Sequence, residues 1–293
     1  MRLWEKREVL TIMKDSNKRV LTLQDISCFG SCSLTVALPI ISACGIETAI
    51  LPSAVLSTHT GGFTDVEVCD FTDDIMRMVN HWVKENISFD CLYTGYLGSI
   101  RQIEYVREIK KKVINRDGIF ILDPAMADNG ILYKGFDEAY VKAMAGLVGE
   151  SGVLLPNLTE ACMMTGIEYR KDDHDEAYVE EILGALKALG ATNVVLKGIS
   201  FEEGKIGIAL CEGDNVQYYF TKRVGRGYHG TGDCFAASFT GALIRGSSMY
   251  DAGRIAADFV VEGIRQTLND DNHPYGIRFE RVLPMLIDRL TAC

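Results

Sequence analysis

Short apolar runs alternate with amphipathic stretches along most of this chain. The predicted strands are short and mostly apolar, as strands are when helices cover both sides of a sheet. They are Val20–Gln24, Glu47–Leu51, Cys91–Thr94, Ile119–Leu122, Val153–Leu155 and Val194–Leu196. The stretches between them predict helices, among them Leu34–Cys44, Phe71–Glu85 and Ile103–Ile114. Strands that alternate with helices in this way predict an α/β fold, with a central, mostly parallel sheet flanked by helices on both faces.

The pattern changes toward the C-terminus. Two strands are predicted to pair antiparallel around Gly213-Asp214, and three helices follow them: the strands are Ile206–Cys211 and Val216–Thr221, the helices Asp233–Arg245, Tyr250–Thr267 and Phe279–Leu290. No Pro/Ser-rich linker and no internal repeat divides the sequence, which predicts a single domain over residues 18–293. Residues 1–17 are polar and charged, and we expect a loose N-terminal extension there.

Composition narrows the class of protein. The chain has 293 residues, of which 47% are hydrophobic and 24% charged, as in a globule with a sizeable core. A formal net charge of −10 argues against non-specific nucleic-acid binding, which needs a basic face. No apolar run approaches the roughly 20 residues that span a bilayer, so no membrane association is expected. The nine cysteines are odd in number and scattered, which favours a reducing cytoplasm.

Polar residues follow the predicted strands. They are Asp25, Tyr96, Asp123, Asn157 and Lys197, each just past an apolar run. In open parallel sheets, ligands bind outside the carboxyl ends of the strands. We therefore expect these five side chains to lie along one binding edge.

The run Gly230-Thr231-Gly232-Asp233 leads into an apolar stretch that is predicted to be a helix. Unpaired N–H groups at a helix start hold anions, and the helix dipole favours negative charge there. A carboxylate in the same turn is suited to take a proton from a neutral group while the N–H groups hold a developing negative charge. The run therefore indicates phosphoryl transfer to an alcohol. A capped, buried helix with a glycine-rich entry is the alternative.

Two acidic stretches allow both a structural and a functional interpretation. Asn157 and Glu160 have the spacing of a helix capping box, yet Glu160 could also face phosphates and hold Mg²⁺ directly or through water. The loop that begins at Asp123 and contains Asp128 is either solvated or a lid over a nucleotide and its metal.

Two further stretches indicate a function less specifically. Residues 225–230 match G-x-G-x-x-G, but they follow the last strand, which excludes the dinucleotide-binding fingerprint. His59 and Thr60 lie in a stretch of small polar residues that is either a plain loop or a site for a polar small molecule.

Taken together, these stretches resemble the ribokinase-like superfamily, and most closely its vitamin B6 branch, the pyridoxal/pyridoxamine kinases. The run 230–233 and the Asn157…Glu160 pair are shared across the superfamily. The B6 branch is indicated more narrowly by three pieces: Ser57–Gly61, Thr94-Gly95-Tyr96, and Asp123-Pro124 with Asp128 and Tyr133. Residues 24–27 and 34–39 also match, and the pieces occur in the family's order over roughly residues 19–268.

The resemblance implies an ATP-dependent kinase that uses Mg²⁺, often with K⁺, and forms a homodimer. The implied reaction is phosphorylation of the 5′-hydroxymethyl group of pyridoxal, pyridoxamine or pyridoxine. By similarity, Asp233 is the base, and Gly230, Thr231 and Gly232 supply the anion hole.

The remaining site residues are also assigned by similarity. Asp123 and Glu160 would lie near the metal and the phosphates, together with Asn157 and Lys197 on the nucleotide side. Two residues would lie on the lid loop and four would contact or cover the substrate ring: Asp128 and Tyr133 on the lid, and Asp25, His59, Thr60 and Tyr96 at the ring.

Three features of this sequence bear on the comparison with the family: Asp25, the length of the lid and Cys234. Many family members carry Ser where this chain has Asp25, beside the ring nitrogen, and an Asp there could pair with a protonated nitrogen. The lid between Asp123 and Tyr133 is short. Some relatives carry Cys in place of the catalytic Asp, whereas here Cys234 follows Asp233 and is expected to point away from the substrate, because one helical step turns a side chain by about 100°.

Two other functions stay open. A kinase of the same fold could act on hydroxymethylpyrimidine or on a sugar; the His-Thr-Gly and aromatic elements suit a flat heteroaromatic ring better than a sugar, but they separate pyridine from pyrimidine poorly. The second alternative hypothesis is a non-catalytic sensor of nucleotide or pyridoxal phosphate. The presence of Asp233 argues against it, because a sensor has no physical need for that carboxylate.

Overall fold

A single nine-stranded sheet runs through the protein. The structure is a computed structural model, and it describes residues 18–225, 227–270 and 273–291. The predicted N-terminal extension, residues 1–17, lies outside the described residues and stays a prediction.

The strands follow the predicted alternation, with a separate small hairpin after the fifth one. Their bounds are β1 (Arg19–Ser27), β2 (Glu47–Leu56), β3 (Val68–Asp70), β4 (Phe89–Thr94), β5 (Ile114–Leu122), the hairpin strands β6 (Ala127–Asp128) and β7 (Ile131–Leu132), β8 (Val153–Leu154), β9 (Asn193–Ile199), β10 (Lys205–Glu212) and β11 (Asn215–Lys222). The sheet order is β11-β10-β9-β8-β5-β4-β1-β2-β3. The inner strands from β9 to β2 are parallel, and β3, β10 and β11 are antiparallel additions at the two edges.

Helices cover both faces of the sheet. Their bounds are α1 (Leu34–Ala43), α2 (Thr72–Lys84), α3 (Ile100–Val113), α4 (Glu138–Ala145), α5 (Leu158–Thr165), α6 (Glu176–Ala188), α7 (Thr231–Arg245), α8 (Met249–Thr267) and α9 (Leu283–Thr291). Helices α2 to α6 contribute to one buried core, and α1, α7, α8 and α9 contribute to the other.

The strands separate these two cores because successive side chains point to opposite faces. Leu21 and Leu23 of β1 belong to the first core and Val20 to the second. Leu92 and Tyr93 of β4 divide in the same way. Burial on both faces explains why the strands are continuous apolar runs in the sequence.

The predicted α/β fold with a mostly parallel sheet is confirmed, but several bounds were wrong. Strands β1 and β9 run on to Ser27 and Ile199, so Asp25 and Lys197 lie inside strands rather than past them. The apolar pattern stops at the first polar side chain, whereas the backbone ladder continues, as Ser27 still pairs with Leu56. The prediction also missed β3, the β6–β7 hairpin, α4 and α6.

Across the part of the chain that the structure describes, no helix combines the length and the apolar character that crossing a membrane requires.

Candidate active site

The polar strand-end residues lie side by side along one edge of the sheet. Lys197, Asn157, Asp123, Tyr96 and Asp25 come from, or directly follow, the adjacent strands β9, β8, β5, β4 and β1. The carboxyl ends of parallel strands share one edge, so the topology places these residues in a row. An isolated parallel bridge also pairs Asn157 with Lys197.

The glycine-rich run, residues 230–233, lies next to this edge and packs against the segment that precedes α1. Helix α7 begins at Thr231, two residues earlier than predicted, and Gly230 caps it in the left-handed region at φ 75°. A Cβ on Gly230 would lie 1.7 Å from the Ser31 carbonyl oxygen, whereas a Cβ on Gly232 would meet nothing within 4 Å. The turn therefore rests directly on the segment before α1 and leaves open space beside the unpaired N–H groups of the helix start.

Asp233 is the carboxylate of this turn. Its Oδ2 accepts a hydrogen bond from the Ser33 backbone N–H at 3.1 Å. Burial and the negative charges of Asp123 and Asp25 raise the pKa of Asp233 to about 7, against the opposing effects of the Ser33 N–H and of Lys197. A carboxyl with a pKa near neutrality is suited to accept and release a proton at physiological pH.

Asp123 and Lys197 form a buried ion pair. The Lys197 Nζ lies 3.1 Å and 3.2 Å from the two Asp123 carboxylate oxygens. Asp123 is only 3% exposed, and burial raises its pKa while the Lys197 ammonium opposes the rise. The pair fixes the position of the Lys197 ammonium at this edge of the sheet.

Glu160 caps helix α5 together with Asn157. The Asn157 side chain accepts from the Glu160 N–H, and Glu160 Oε2 accepts from the Asn157 N–H at 2.8 Å. Glu160 Oε1 also accepts from the Met126 N–H at 3.2 Å. The capping-box interpretation is thus confirmed, yet burial and the charge of Asp123 raise the pKa of Glu160 to about 8. A helix cap alone does not require a second buried carboxyl, that of Asp123, close to Glu160.

The loop after Asp123 forms the β6–β7 hairpin. Asn129 and Gly130 lie at its tip with φ values of 51° and 78°, the two positive angles of a type I′ turn. The Gly130 N–H donates to Thr159 at 3.0 Å, which ties the tip to α5. Asp128 is exposed on the hairpin, and Tyr133 follows it.

Tyr133 lies on the acidic side of the edge. Tyr133 is 38% exposed. Partial desolvation of its phenol and then the charges of Glu160, Asp233, Asp128 and Asp123 raise the pKa of Tyr133. The hairpin therefore places this phenol within electrostatic reach of the carboxyls.

Asp25 and Tyr96 define the opposite end of the edge. Asp25 is 3% exposed, and its Oδ2 accepts from the Ser27 hydroxyl at 2.9 Å. Burial raises the pKa of Asp25, and hydrogen bonds from the Ser33 and Ser27 side chains oppose the rise. Tyr96 stacks on Phe136, with ring centroids 5.4 Å apart, and the charge of Asp25 contributes to raising the pKa of Tyr96 after burial. The Asp25 carboxyl therefore lies near the stacked rings of Tyr96 and Phe136.

Among the residues that the structure describes, no hydrogen bond or ion pair joins His59 or Thr60 to the carboxyls of this edge. The His59 Nδ1 accepts from the Gly61 N–H at 3.1 Å, so Nε2 carries the proton and donates to the Tyr275 carbonyl at 3.2 Å. Burial and the neighbouring His229 lower the pKa of His59. Both ring nitrogens are therefore occupied by backbone, while Thr60 is exposed.

The charges at this edge do not balance. The carboxyls of Asp25, Asp123, Glu160 and Asp233 cluster there, and Lys197 is the one described cation that lowers the pKa values of the latter three. Within the described residues, no group of three or more His, Cys, Asp or Glu side chains could hold a metal ion. Mg²⁺ commonly binds one or two carboxylates together with substrate phosphates and water, and Asp123 and Glu160 fit that arrangement.

Sequence reasoning missed Ser33, whose N–H holds Asp233. The two residues are 200 positions apart in the chain, and no motif links them. Sequence reasoning also gave no role to the Ser27 hydroxyl, although Ser27 belongs to the stretch that resembles the family. Cys234 is fully buried in the second core, as expected for a side chain turned away from the edge.

The sequence profile of the phosphomethylpyrimidine kinases matches residues 36–276. The chain belongs to the phosphomethylpyrimidine kinase family. The kinase is 28% identical over 256 residues to the hydroxymethylpyrimidine/phosphomethylpyrimidine kinase of Bacillus subtilis, which covers 85% of this chain and 83% of the relative.

Two crystal structures resemble the kinase closely. One is a candidate phosphomethylpyrimidine kinase from Bacteroides thetaiotaomicron in a form with pyridoxal, with a TM-score of 0.86 and 34% identity over 92% of this chain and 95% of that chain. The other is the pyridoxal kinase from Lactobacillus plantarum, with a TM-score of 0.85 and 31% identity over 93% of this chain and 98% of that chain. The kinase is therefore a phosphotransferase, and its relationship to the pyridoxal kinases of the ribokinase-like superfamily is confirmed.

Proposed function

We propose that this kinase transfers a phosphoryl group from ATP to the 5′-hydroxymethyl group of pyridoxal, pyridoxamine or pyridoxine. The observation that carries the proposal is the setting of Asp233. Its carboxyl stands at the start of α7 with one oxygen held by Ser33 and a pKa raised to about 7. Phosphoryl transfer needs little more from a protein than such a base, fixed positions and neutralised charge.

The proposed step uses residues from the start of α7 and from the β9 end of the sheet edge. The substrate oxygen attacks the γ-phosphorus, its proton passes to Asp233, and the bond to the β,γ-bridging oxygen breaks to release ADP. The N–H groups of the turn at Gly230, Thr231 and Gly232 are placed to hold the transferring phosphoryl group, because a helix start favours negative charge. Lys197 supplies a fixed positive charge on the same side.

The cofactor assignments extend this proposal. Mg²⁺, when bound with the nucleotide, would neutralise phosphate charge, and Asp123 and Glu160 are the residues that fit it. We also propose nucleotide contacts for Asn157, Asp128 and Tyr133, since the hairpin and the α5 start adjoin that pair. The K⁺ requirement, the homodimer and the cytoplasmic location stay predictions from the sequence.

Two observations favour a pyridine ring as the substrate. The Bacteroides relative, 34% identical, was crystallised with pyridoxal. Asp25 adds a buried acid beside the aromatic Tyr96, which suits a flat ring with a basic nitrogen. We assign ring contacts to Asp25, Tyr96 and Thr60, and the placement of Thr60 through the buried His59.

Hydroxymethylpyrimidine is the second candidate substrate. The family profile and the Bacillus subtilis relative favour it. A pyrimidine also has basic ring nitrogens, so the pairing with Asp25 does not exclude it.

The experiment that tests the proposal is a comparison of kcat/KM. Phosphorylation of pyridoxal, pyridoxamine, pyridoxine and hydroxymethylpyrimidine is measured with ATP and Mg²⁺. We expect a preference for at least one pyridine of about 100-fold, or about 2.7 kcal/mol of differential transition-state binding. A preference of similar size for hydroxymethylpyrimidine would leave Asp233 as the base and overturn the assignment of the substrate ring as a pyridine.

A further inference from the structure

Ser33 has a backbone conformation that serine seldom adopts. Its φ of 53° and ψ of −133° place it in a region that favours glycine. It stands at the N-cap position of α1, yet its side chain makes no capping hydrogen bond there. Strain of this kind persists where surrounding contacts hold the residue in place, and it concentrates at functional sites.

The contacts that hold Ser33 lead to two acids of the candidate site. Its N–H donates to Asp233 Oδ2 at 3.1 Å. Its hydroxyl group lies beside the Asp25 carboxyl and opposes the rise of the pKa of Asp25. The residue is 6% exposed, and an antiparallel bridge pairs it with Ile26 of β1. One buried serine therefore binds the acid assigned to the hydroxyl group and lies beside the acid assigned to the ring.

The segment around Ser33 is fixed from other sides as well. The Ser31 N–H donates to the Tyr275 carbonyl at 3.0 Å, and the Ser31 carbonyl lies directly against Gly230. Ser33 is thus anchored between β1 and the start of α7.

We infer that Ser33 is a positioning residue that sets Asp25 and Asp233 at the spacing that one substrate molecule spans. With Oδ2 of Asp233 occupied by the Ser33 N–H, Oδ1 is left for the substrate hydroxyl. With the Ser27 hydroxyl donating to it and the Ser33 hydroxyl beside it, the Asp25 carboxyl is held toward the ring. The inference rests on the proposed function and adds to it a residue that the family resemblance did not assign.

Three single variants separate this role from a plain loss of a hydroxyl group. Ser27→Ala removes one donor to Asp25 and leaves Asp233 untouched. Ser33→Ala removes the hydroxyl group beside Asp25 and also lets the strained backbone relax, which draws the N–H away from Asp233. Ser33→Gly removes the same hydroxyl but accepts φ 53° without strain, so the N–H stays in place.

We expect KM for the ring substrate to rise by about 10-fold in all three variants, as the loss of a hydroxyl group that stabilises a charged group would cause. We expect kcat to fall by about 10-fold or more in Ser33→Ala alone, with Ser33→Gly retaining most of the wild-type kcat. The acid limb of the kcat/KM–pH profile should move upward only in Ser33→Ala, because the N–H that stabilises ionised Asp233 is then displaced.

The pH readout has to be assigned to Asp233 rather than to its neighbours. Titratable groups reach it from several elements: Asp25 of β1, Cys32 before α1, Tyr93 of β4, Asp123 after β5, Tyr133 after β7, Lys197 of β9 and Cys234 of α7. Carbon-13 NMR of labelled aspartate carboxyls, with Asp233→Asn to assign the signal, follows Asp233 itself without substrate.

The outcomes are distinguishable. If wild type phosphorylates no ring compound, the proposed function fails, and the carbon-13 titration still decides whether Ser33→Ala raises the pKa of Asp233 while Ser27→Ala and Ser33→Gly do not. Equal kcat values and equal titration curves for Ser33→Ala and wild type would overturn the inference. So would the same kcat loss in Ser27→Ala.

Discussion

At the scale of single residues, the site is defined by buried carboxyls whose charge is only partly compensated. Asp25, Asp123 and Glu160 are each 3% exposed or less. Buried acids without full compensation favour the protonated form, which is why the pKa of Asp233 rises to about 7 and that of Glu160 to about 8. Proton transfer and pH-dependent stability are therefore the properties to measure at this scale.

The pH dependence of turnover tests Asp233. A base must be ionised to accept a proton, so kcat/KM of the wild type should rise as the pH increases through about 7 and then reach a plateau. Asp233→Asn should lower kcat by about 10² to 10⁴ and remove this limb, with little change in nucleotide affinity measured by calorimetry. A variant that keeps the full rate would remove Asp233 from the mechanism.

The stability of Glu160→Gln tests the second buried acid. Folding raises the pKa of Glu160 from 4.5 to about 8, so over this window the folded protein keeps a proton that the unfolded chain has released. Wild-type stability therefore falls as the pH rises through the window. We expect the free energy of unfolding of Glu160→Gln to gain about 2 kcal/mol on wild type between pH 6 and pH 8.

Urea unfolding at both pH values measures this difference, with Glu212→Gln at an exposed position of β10 as the control. A difference between Glu160→Gln and wild type that is the same at pH 6 and pH 8 would contradict the raised pKa. Activity should be lost in Glu160→Gln if the carboxylate serves the metal and phosphates.

At the scale of elements, the start of α7 joins a structural and a chemical requirement within three residues. Gly230 is required because its left-handed backbone packs on Ser31, while Gly232 faces open space. Two glycines that look equivalent in the sequence therefore have different roles. The first lets the turn contact the segment before α1, and the second keeps the space beside the N–H groups free.

A pair of alanine variants separates these roles. Gly230→Ala should destabilise the protein by about 3 kcal/mol or more, because its Cβ meets a backbone carbonyl that has no room to move. Gly232→Ala should leave stability unchanged or raise it by up to about 1 kcal/mol, since alanine is the better helix former. Its activity should nevertheless fall by about 10²-fold, as expected when an anion hole is obstructed. Thermal melts and initial rates measure both, and a fully active Gly232→Ala would rule out phosphate binding at this turn.

At the scale of the whole molecule, both helix layers pack on the same sheet. The nine strands of that sheet are distributed between Arg19 and Lys222, and α7, α8 and α9 return to cover its second face. Because the same strands contribute side chains to both cores, unfolding of the sheet would expose both cores at once. We therefore propose that residues 18–293 fold as one domain, with residues 1–17 outside it.

The expected result is a single unfolding transition. Deleting residues 1–17 leaves Trp82, which packs against the first core, as the sole tryptophan. Its fluorescence and the far-UV circular dichroism should change at the same urea concentration, and catalytic constants should match those of the full chain. Two separated transitions would contradict the single domain, and a loss of activity on deletion would contradict the loose extension.

Much of the fold and part of the site could be predicted from local patterns. Strands buried on both faces leave apolar runs that need no tertiary information to recognise, and the Asn157…Glu160 cap is made within one turn of helix. The polar residues after those runs also had to meet, because parallel strands share their carboxyl edge. The sequence by itself thus determined the sheet, its binding edge and the candidate base Asp233.

Only the tertiary structure decided how these residues act on one another. The Ser33 N–H reaches Asp233 across 200 positions, and its positive φ has no local signature. The raised pKa values of Asp233 and Glu160 depend on burial and on acids brought in from other strands. Such contacts exist only once the sheet has assembled, because they join segments that are distant in the chain and have no interaction before folding.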